Sequence, residues 1–131
     1  MMTRILSVAL LISGLALSAA WAGTVAEATR MSLLEARENL ASLLAAPDRE
    51  DQNRRVEAIK RTSAKVDVLI EKNPESLQAL HGPWTAFKST RDGEIIPHLL
   101  NGRQEKATEL ATGIQAERFQ QMLDMLSTLP Q

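Results

Sequence analysis

Trp84, Phe87, Arg91, then Glu94 or Ile95, and His98 recur at the three- and four-residue steps that bring side chains onto one face of a helix, in a register that starts at Leu77 and Leu80. Such a face normally carries Leu or Ile, whereas here it carries an indole, a guanidinium and an imidazole. Charged groups are seldom buried without partners, so the pattern points to a buried polar network or a small polar pocket between helices. Arg91 would supply a planar fork of donors suited to a carboxylate, Trp84 a pocket wall, and His98 a second polar group. Arg37, with Arg30 seven residues before it on another helix, could widen the same site. Each has a plainer role as well. Arg91 can pack its aliphatic stem while its guanidinium reaches water. Trp84 can fill the core beside Pro83, and Arg30 with Arg37 can form an exposed stripe. Asp92, adjacent to Arg91, cannot share its helix radius and turns to solvent or to the neighbouring helix.

Other chemistry finds little support. His81 and His98 are the only histidines, 17 residues apart, with no His-x-x-x-His or Glu-x-x-His pair, so no metal site is expected. Cysteine is absent, which excludes thiol catalysis, iron–sulfur clusters and disulfides. Ser89, Asp92 and His98 lie within ten residues, but no strand-turn-helix elbow accompanies them. Glycine-rich phosphate loops are missing, and Glu35 with Glu38 or Glu105 with Glu109 read as solvated helix surface. An enzyme is not expected, and no cofactor is assigned. The rival possibility is a haem- or metal-binding bundle similar to b-type cytochromes, in which Met31 would imitate the methionine ligand of helix one. Residues 103–131 hold no histidine to serve as the second ligand; only Met122 or Met125 could substitute.

Four amphipathic segments must position these groups. Val25, Thr29, Leu33, Ala36, Leu40 and Leu43 define the first, stopped by Ala45-Ala46-Pro47. Asp48 suits a cap for the second, which runs through Val56, Ile59, Ser63, Val66 and Ile70 to Lys72. Asn73-Pro74-Glu75 starts the third, with Asn73 as its cap; Gly82-Pro83 and Pro97 should interrupt it. Asn101-Gly102 stops it, and Ala107, Leu110, Ile114, Met122, Met125 and Leu129 trace the fourth from Gln104. Helices of this length with short joints imply an all-α, up-down-up-down antiparallel four-helix bundle with a kinked third helix over residues 23–131.

The N-terminus reads as a signal peptide over residues 1–22: Arg4, an apolar run from Ile5 to Leu17, then Ala20-Trp21-Ala22 with cleavage after Ala22. Retention as an inner-membrane anchor is the rival, since Ile5 to Ala22 approaches spanning length. No second apolar run of that length follows, so the mature chain is expected to have no stable membrane span and to reside in a bacterial periplasm. Loss of the leader leaves 14 basic against 16 acidic residues, a net charge of −2 against −1 for the whole chain. That balance, with few aromatics, argues against a nucleic-acid partner.

The segment Arg91-Asp92-x-Glu94-Ile95-Ile96-Pro97, with Trp84 and Phe87 before it and Gly102, Ala107 and Gln115-x-x-Arg118 after it, resembles the periplasmic four-helix sensor module of bacterial methyl-accepting chemotaxis receptors and related sensor kinases. The likeness covers about 40 residues, the first two helices matching only as amphipathic helices. It implies a bundle that dimerises and binds small, often anionic, solutes near helix ends or the dimer interface. Such receptors continue into a second membrane helix and a cytoplasmic signalling region, and neither is expected here. The combined expectation is a sensor-like bundle that binds a solute or pairs with a receptor-like helical bundle in chemosensory signalling.

Overall fold

The computed structural model describes residues 25–129, which form an all-α chain. The expected leader at 1–22, its cleavage after Ala22 and the anchor alternative lie outside the described residues, as do residues 23, 24, 130 and 131 of the expected bundle. Among the described residues no helix is long and apolar enough to cross a membrane.

Helix α1 covers residues 25–44, and Val25, Thr29, Leu33, Ala36, Leu40 and Leu43 are buried at the expected spacing, together with Ala26. Helix α2 (Arg49–Lys72) starts where the Asp48 carboxylate accepts the Asp51 N–H at 2.8 Å, satisfying one of the donors that a helix start leaves unpaired. Asn73 does not act as expected. Its side-chain amide donates backwards to the Leu69 carbonyl at 2.9 Å and makes no cap for the next helix. As the single residue between two helices, it can serve the orphan carbonyls of the first or the orphan amides of the second, and it serves the first.

The third segment consists of α3 (Pro74–Leu77), a 3-10 turn (Gln78–Leu80), α4 (His81–Thr90), a π turn (Arg91–Ile95) and α5 (Ile96–Leu100). Pro83 lies in the first turn of α4, where its missing N–H costs nothing, and the irregularity sits one turn upstream in the 3-10 segment. Pro97 is the second residue of α5 and follows a turn in which the Ile96 N–H reaches back five residues to the Arg91 carbonyl. That wide turn changes the face that is buried. The inward series runs Trp84, Phe87, Arg91, Ile95, Leu99, with three successive steps of four. Leu99 therefore takes the inward place expected for His98, which is half-buried.

The fourth segment is likewise two pieces, α6 (Gln104–Thr112) and α7 (Ile114–Ser127), separated at Gly113. The break shifts the register so that Gln115, 1% exposed, is buried and Ile114, 39% exposed, is not. A Cβ on Gly113 would stand 3.0 Å from the Glu109 carbonyl oxygen, a close approach that any side chain could share only if that backbone gave by a few tenths of an ångström. Gly102, with φ of 78°, makes the turn after α5 in the left-handed region.

Two apolar clusters occupy the interior. Leu33, Val66, Leu80, Trp84, Phe87 and Met122 belong to the larger, and Leu40, Leu43, Ile59, Ile95, Leu99 and Ala107 form the smaller. Full burial of each large side chain contributes about 1.5–3 kcal/mol relative to exposure. The glycines separate sharply in what they tolerate. Gly93→Ala, with nothing within 4 Å of the added carbon, should stabilise by about 0.5–1 kcal/mol. Gly113→Ala should destabilise by roughly 1 kcal/mol, because the clash is with backbone. Paired thermal melts read both signs, and a stabilised Gly113→Ala would refute the close-approach account.

Candidate functional site

Ser63 and Asp67 lie one turn apart on α2, facing Trp84 and Lys88, one turn apart on α4, and Arg91 at the start of the π turn. The Arg91 guanidinium is enclosed: the residue is 1% exposed. Its Nη2 donates to Ser63 Oγ at 2.7 Å, while Nε and Nη2 donate to the two carboxylate oxygens of Asp92 at 2.8 and 3.3 Å. The adjacent acid thus turns back onto the arginine, an arrangement made within the five-residue turn. Trp84 and Phe87 stack at 5.6 Å with 14° between planes, and the guanidinium carbon lies 5.9 and 5.8 Å from their ring centres, at the outer reach of a cation–π contact. Nη1 is buried and has no partner among the described residues.

Asp67 joins this cluster to the surface. It accepts from Trp84 Nε1 and from Lys88 Nζ, both at 2.7 Å. Burial works to raise its pKa, but the hydrogen bonds from Lys88 and Trp84 and the charges of Lys88 and Arg91 outweigh it and hold the carboxyl below its ordinary 3.8. Beside it runs an open groove of about 350 Å³ lined by Ile70, Glu71, His81, Thr85 and the Asp67, Trp84 and Lys88 side chains.

The cluster is one part of a polar belt that engages all four segments. Asn39 Nδ2 of α1 donates to the Thr62 hydroxyl of α2 at 2.7 Å, and Thr62 donates to Glu35 at 3.3 Å. Gln115 Nε2 of α7 donates to the Phe87 carbonyl at 2.9 Å, while Arg118 donates to the Thr90 hydroxyl and, at 3.2 Å, to the Ala86 carbonyl. Arg37 of α1 sits 4.7 Å above the Phe119 ring of α7. Thr62, Ser63, Thr90, Arg91 and Gln115 are the buried polar residues of the belt; Thr29, also buried, bonds within its own helix.

No family model, curated protein or solved structure matches this chain.

Of the residues expected to form a ligand site, the structure brings Arg91 and Trp84 together. His98 is elsewhere, its Nδ1 accepting from Arg103 Nε at 2.8 Å at the α5–α6 turn. Arg37 is exposed and reaches the cluster only through the Phe119–Phe87 ring pair, centred 6.5 Å apart. Arg30 is half-buried, with its Nε unpartnered among the described residues. For the haem alternative, Met31 is 62% exposed and Met122 is fully buried in the larger apolar cluster. Asp67 and Lys88 were not singled out in the sequence, although Asp67 follows Ser63 of the second-helix seam by one turn. Gln115 and Arg118 were visible only within the resemblance.

Two substitutions at Arg91 separate packing from charge. Arg91→Ala should cost about 2–4 kcal/mol through the void it leaves and the unpaired Ser63. Arg91→Met should cost less than about 1.5 kcal/mol, because volume is kept and the charge is removed from the interior. Urea denaturation of both decides, and equal losses would assign the effect to the hydrogen bonds alone.

Asp67 predicts an acid limb. A carboxyl whose folded pKa is depressed stabilises fully above its unfolded value and loses that contribution as pH falls through the folded value. Asp67→Asn retains an acceptor for Trp84 but cannot ionise. The stability advantage of wild type over Asp67→Asn should therefore be present at neutral pH and shrink below about pH 4. A difference that stays constant with pH would contradict the assignment.

Proposed function

We propose that this chain is an exported, non-enzymatic, sensor-like four-helix bundle that binds a small anionic solute in chemosensory signalling. In this reading its helices run up-down-up-down, and the third bends at its irregular turns. Supporting that order, the Gln104 side chain donates to the Leu44 carbonyl at 2.9 Å and Arg49 donates to the Leu100 carbonyl. Both bonds join the end of one segment to the start of another.

The observation that carries the solute reading is the Trp84–Asp67–Lys88 arrangement on the wall of an open groove. Arg91 is closed to solvent, so a solute meets Lys88 and His81, not the guanidinium. An anion at Lys88 competes with Asp67 for the ammonium and alters the partner of Trp84. It also changes the field at Arg91, and through Arg91 the belt. A partner bundle, the other occupant the resemblance implies, would meet the helix faces instead.

After leader cleavage Trp84 is the only tryptophan, so its emission reports this groove directly. Titration with organic acids and amino acids should shift the emission and raise the melting temperature for at least one class, since a ligand bound to the folded state stabilises it. Lys88→Ala should weaken that response more than tenfold while changing stability by less than about 1 kcal/mol. If no acid or amino acid moves either signal, the solute reading fails and the partner bundle is favoured.

A further inference from the structure

We propose that the groove beside Asp67 recognises a dipolar solute whose ammonium and carboxylate stand about 6 Å apart, with Lys88 taking the carboxylate and Glu71 the ammonium. This deepens the solute reading of that groove and rests on it. The groove runs further than the Trp84–Asp67–Lys88 wall. A second opening of about 460 Å³ shares Ile70, Glu71 and His81 with it and continues past Gly82 to Gln78 and Pro74.

Gly82 lies on this wall without a reason in the fold. It stands in the first turn of α4, where glycine holds a helix less well than alanine. Gly102 is the glycine with positive φ among the described residues, so Gly82 does not use its conformational freedom. Nor does packing exclude a side chain there, since an added Cβ would meet nothing within 4 Å. Gly93 shares both properties but belongs to the π turn and lines neither opening. Clear space kept in a groove wall, where alanine would hold the helix better, serves what enters the groove.

The charges along the groove set the class of solute. Lys88 donates one of its three N–H groups to Asp67 Oδ1 at 2.7 Å, which leaves two for an incoming carboxylate. Thr85, on the same wall, adds a hydroxyl. Glu71 follows Asp67 by one turn of α2, about 6 Å along the axis, and is exposed. The formal charges of Asp67 and Lys88 cancel, so Glu71 gives the groove a negative balance that opposes a dianion and attracts an ammonium. Gln78, whose amide oxygen can accept, lines the same end. Between the two ends lies Ile70, an apolar surface for a chain of methylenes. An α-amino acid, with its two charged groups on one carbon, is too short to meet both ends.

Titration calorimetry decides with solutes that share one chain length and differ only in their end groups: 5-aminopentanoate, glutarate and cadaverine, with glycine as the short control. The first should bind about tenfold tighter than any of the others. Glycylglycine, of similar reach, distinguishes the source: tighter binding than 5-aminopentanoate makes the solute a short peptide, weaker binding an ω-amino acid. Gly82→Leu should abolish the binding while melting at or above the wild-type temperature. Glu71→Gln, a surface change, should weaken 5-aminopentanoate about tenfold and strengthen glutarate. Tightest binding by glutarate or glycine, or binding that survives both substitutions, overturns the dipolar assignment and leaves the solute reading standing. Tightest binding by cadaverine overturns both. Binding by none of the five overturns the dipolar assignment, and the wider screen of acids and amino acids then judges the solute reading by itself.

Discussion

A guanidinium enclosed between helices constrains everything packed around it. Removing a charge from water costs several kcal/mol even after relaxation, and Arg91 recovers that only by meeting Ser63, Asp92 and the Trp84–Phe87 pair at once. Each partner comes with a fixed position along its helix. Ser63 sets how far α2 slides past the third segment, and the aromatic pair sets which face of α4 turns inward. An apolar seam tolerates a slip of one turn with modest repacking, whereas a slip here would leave a buried charge and a hydroxyl unpaired.

The polar belt continues that constraint around the molecule. Asn39 with Thr62, and Gln115 and Arg118 with the carbonyls and hydroxyl of α4, repeat the same device at the other helix contacts. The backbone is irregular beside it. The π turn at Arg91–Ile95 and the break at Gly113 belong to adjoining segments, and each resets the buried face by one position. Local departures from α geometry let polar side chains meet while Ile95, Leu99 and Phe119 still reach the apolar clusters. The regular helices α1 and α2 need no such adjustment. Thr62 and Ser63 are short enough to sit at a helix contact without displacing it.

The exposed chemistry is arranged on two sides of α2. One side carries Asp67 between an indole and an ammonium beside an open groove, where a charge is both held and reachable. The other carries the exposed basic residues Arg61, Lys65 and Lys72, of which Lys65 pairs with Glu35 of α1 at 3.3 Å. Arg91 lies behind the first of these, close enough to lower the Asp67 pKa but closed to water. Inner charge and outer groove are thus electrostatically joined without being the same site.

The all-α class, the limits of α1 and α2, and the Asp48 cap were legible in the sequence, because each depends on neighbours within a turn. The special place of Arg91 and Trp84 was legible too, as polar and aromatic groups at core spacing. Which residue followed them inward was not. An ideal 3.6-residue period carried Arg91 on to His98 and placed Ile114 inside, whereas the wide turn and the Gly113 break selected Leu99 and Gln115. Periodicity is a property of a regular helix, and those irregularities are settled by contacts between segments. Asp67 and Lys88 stayed hidden for a related reason: nothing local marks one surface acid on α2 among many, and only tertiary packing brings it to Trp84. Sequence alone determined the helices and their apolar faces through short-range sterics and spacing. The tertiary structure decided how Ser63 meets Arg91 and Gln115 meets the Phe87 carbonyl, because in each pair the two groups lie on different segments far apart in sequence.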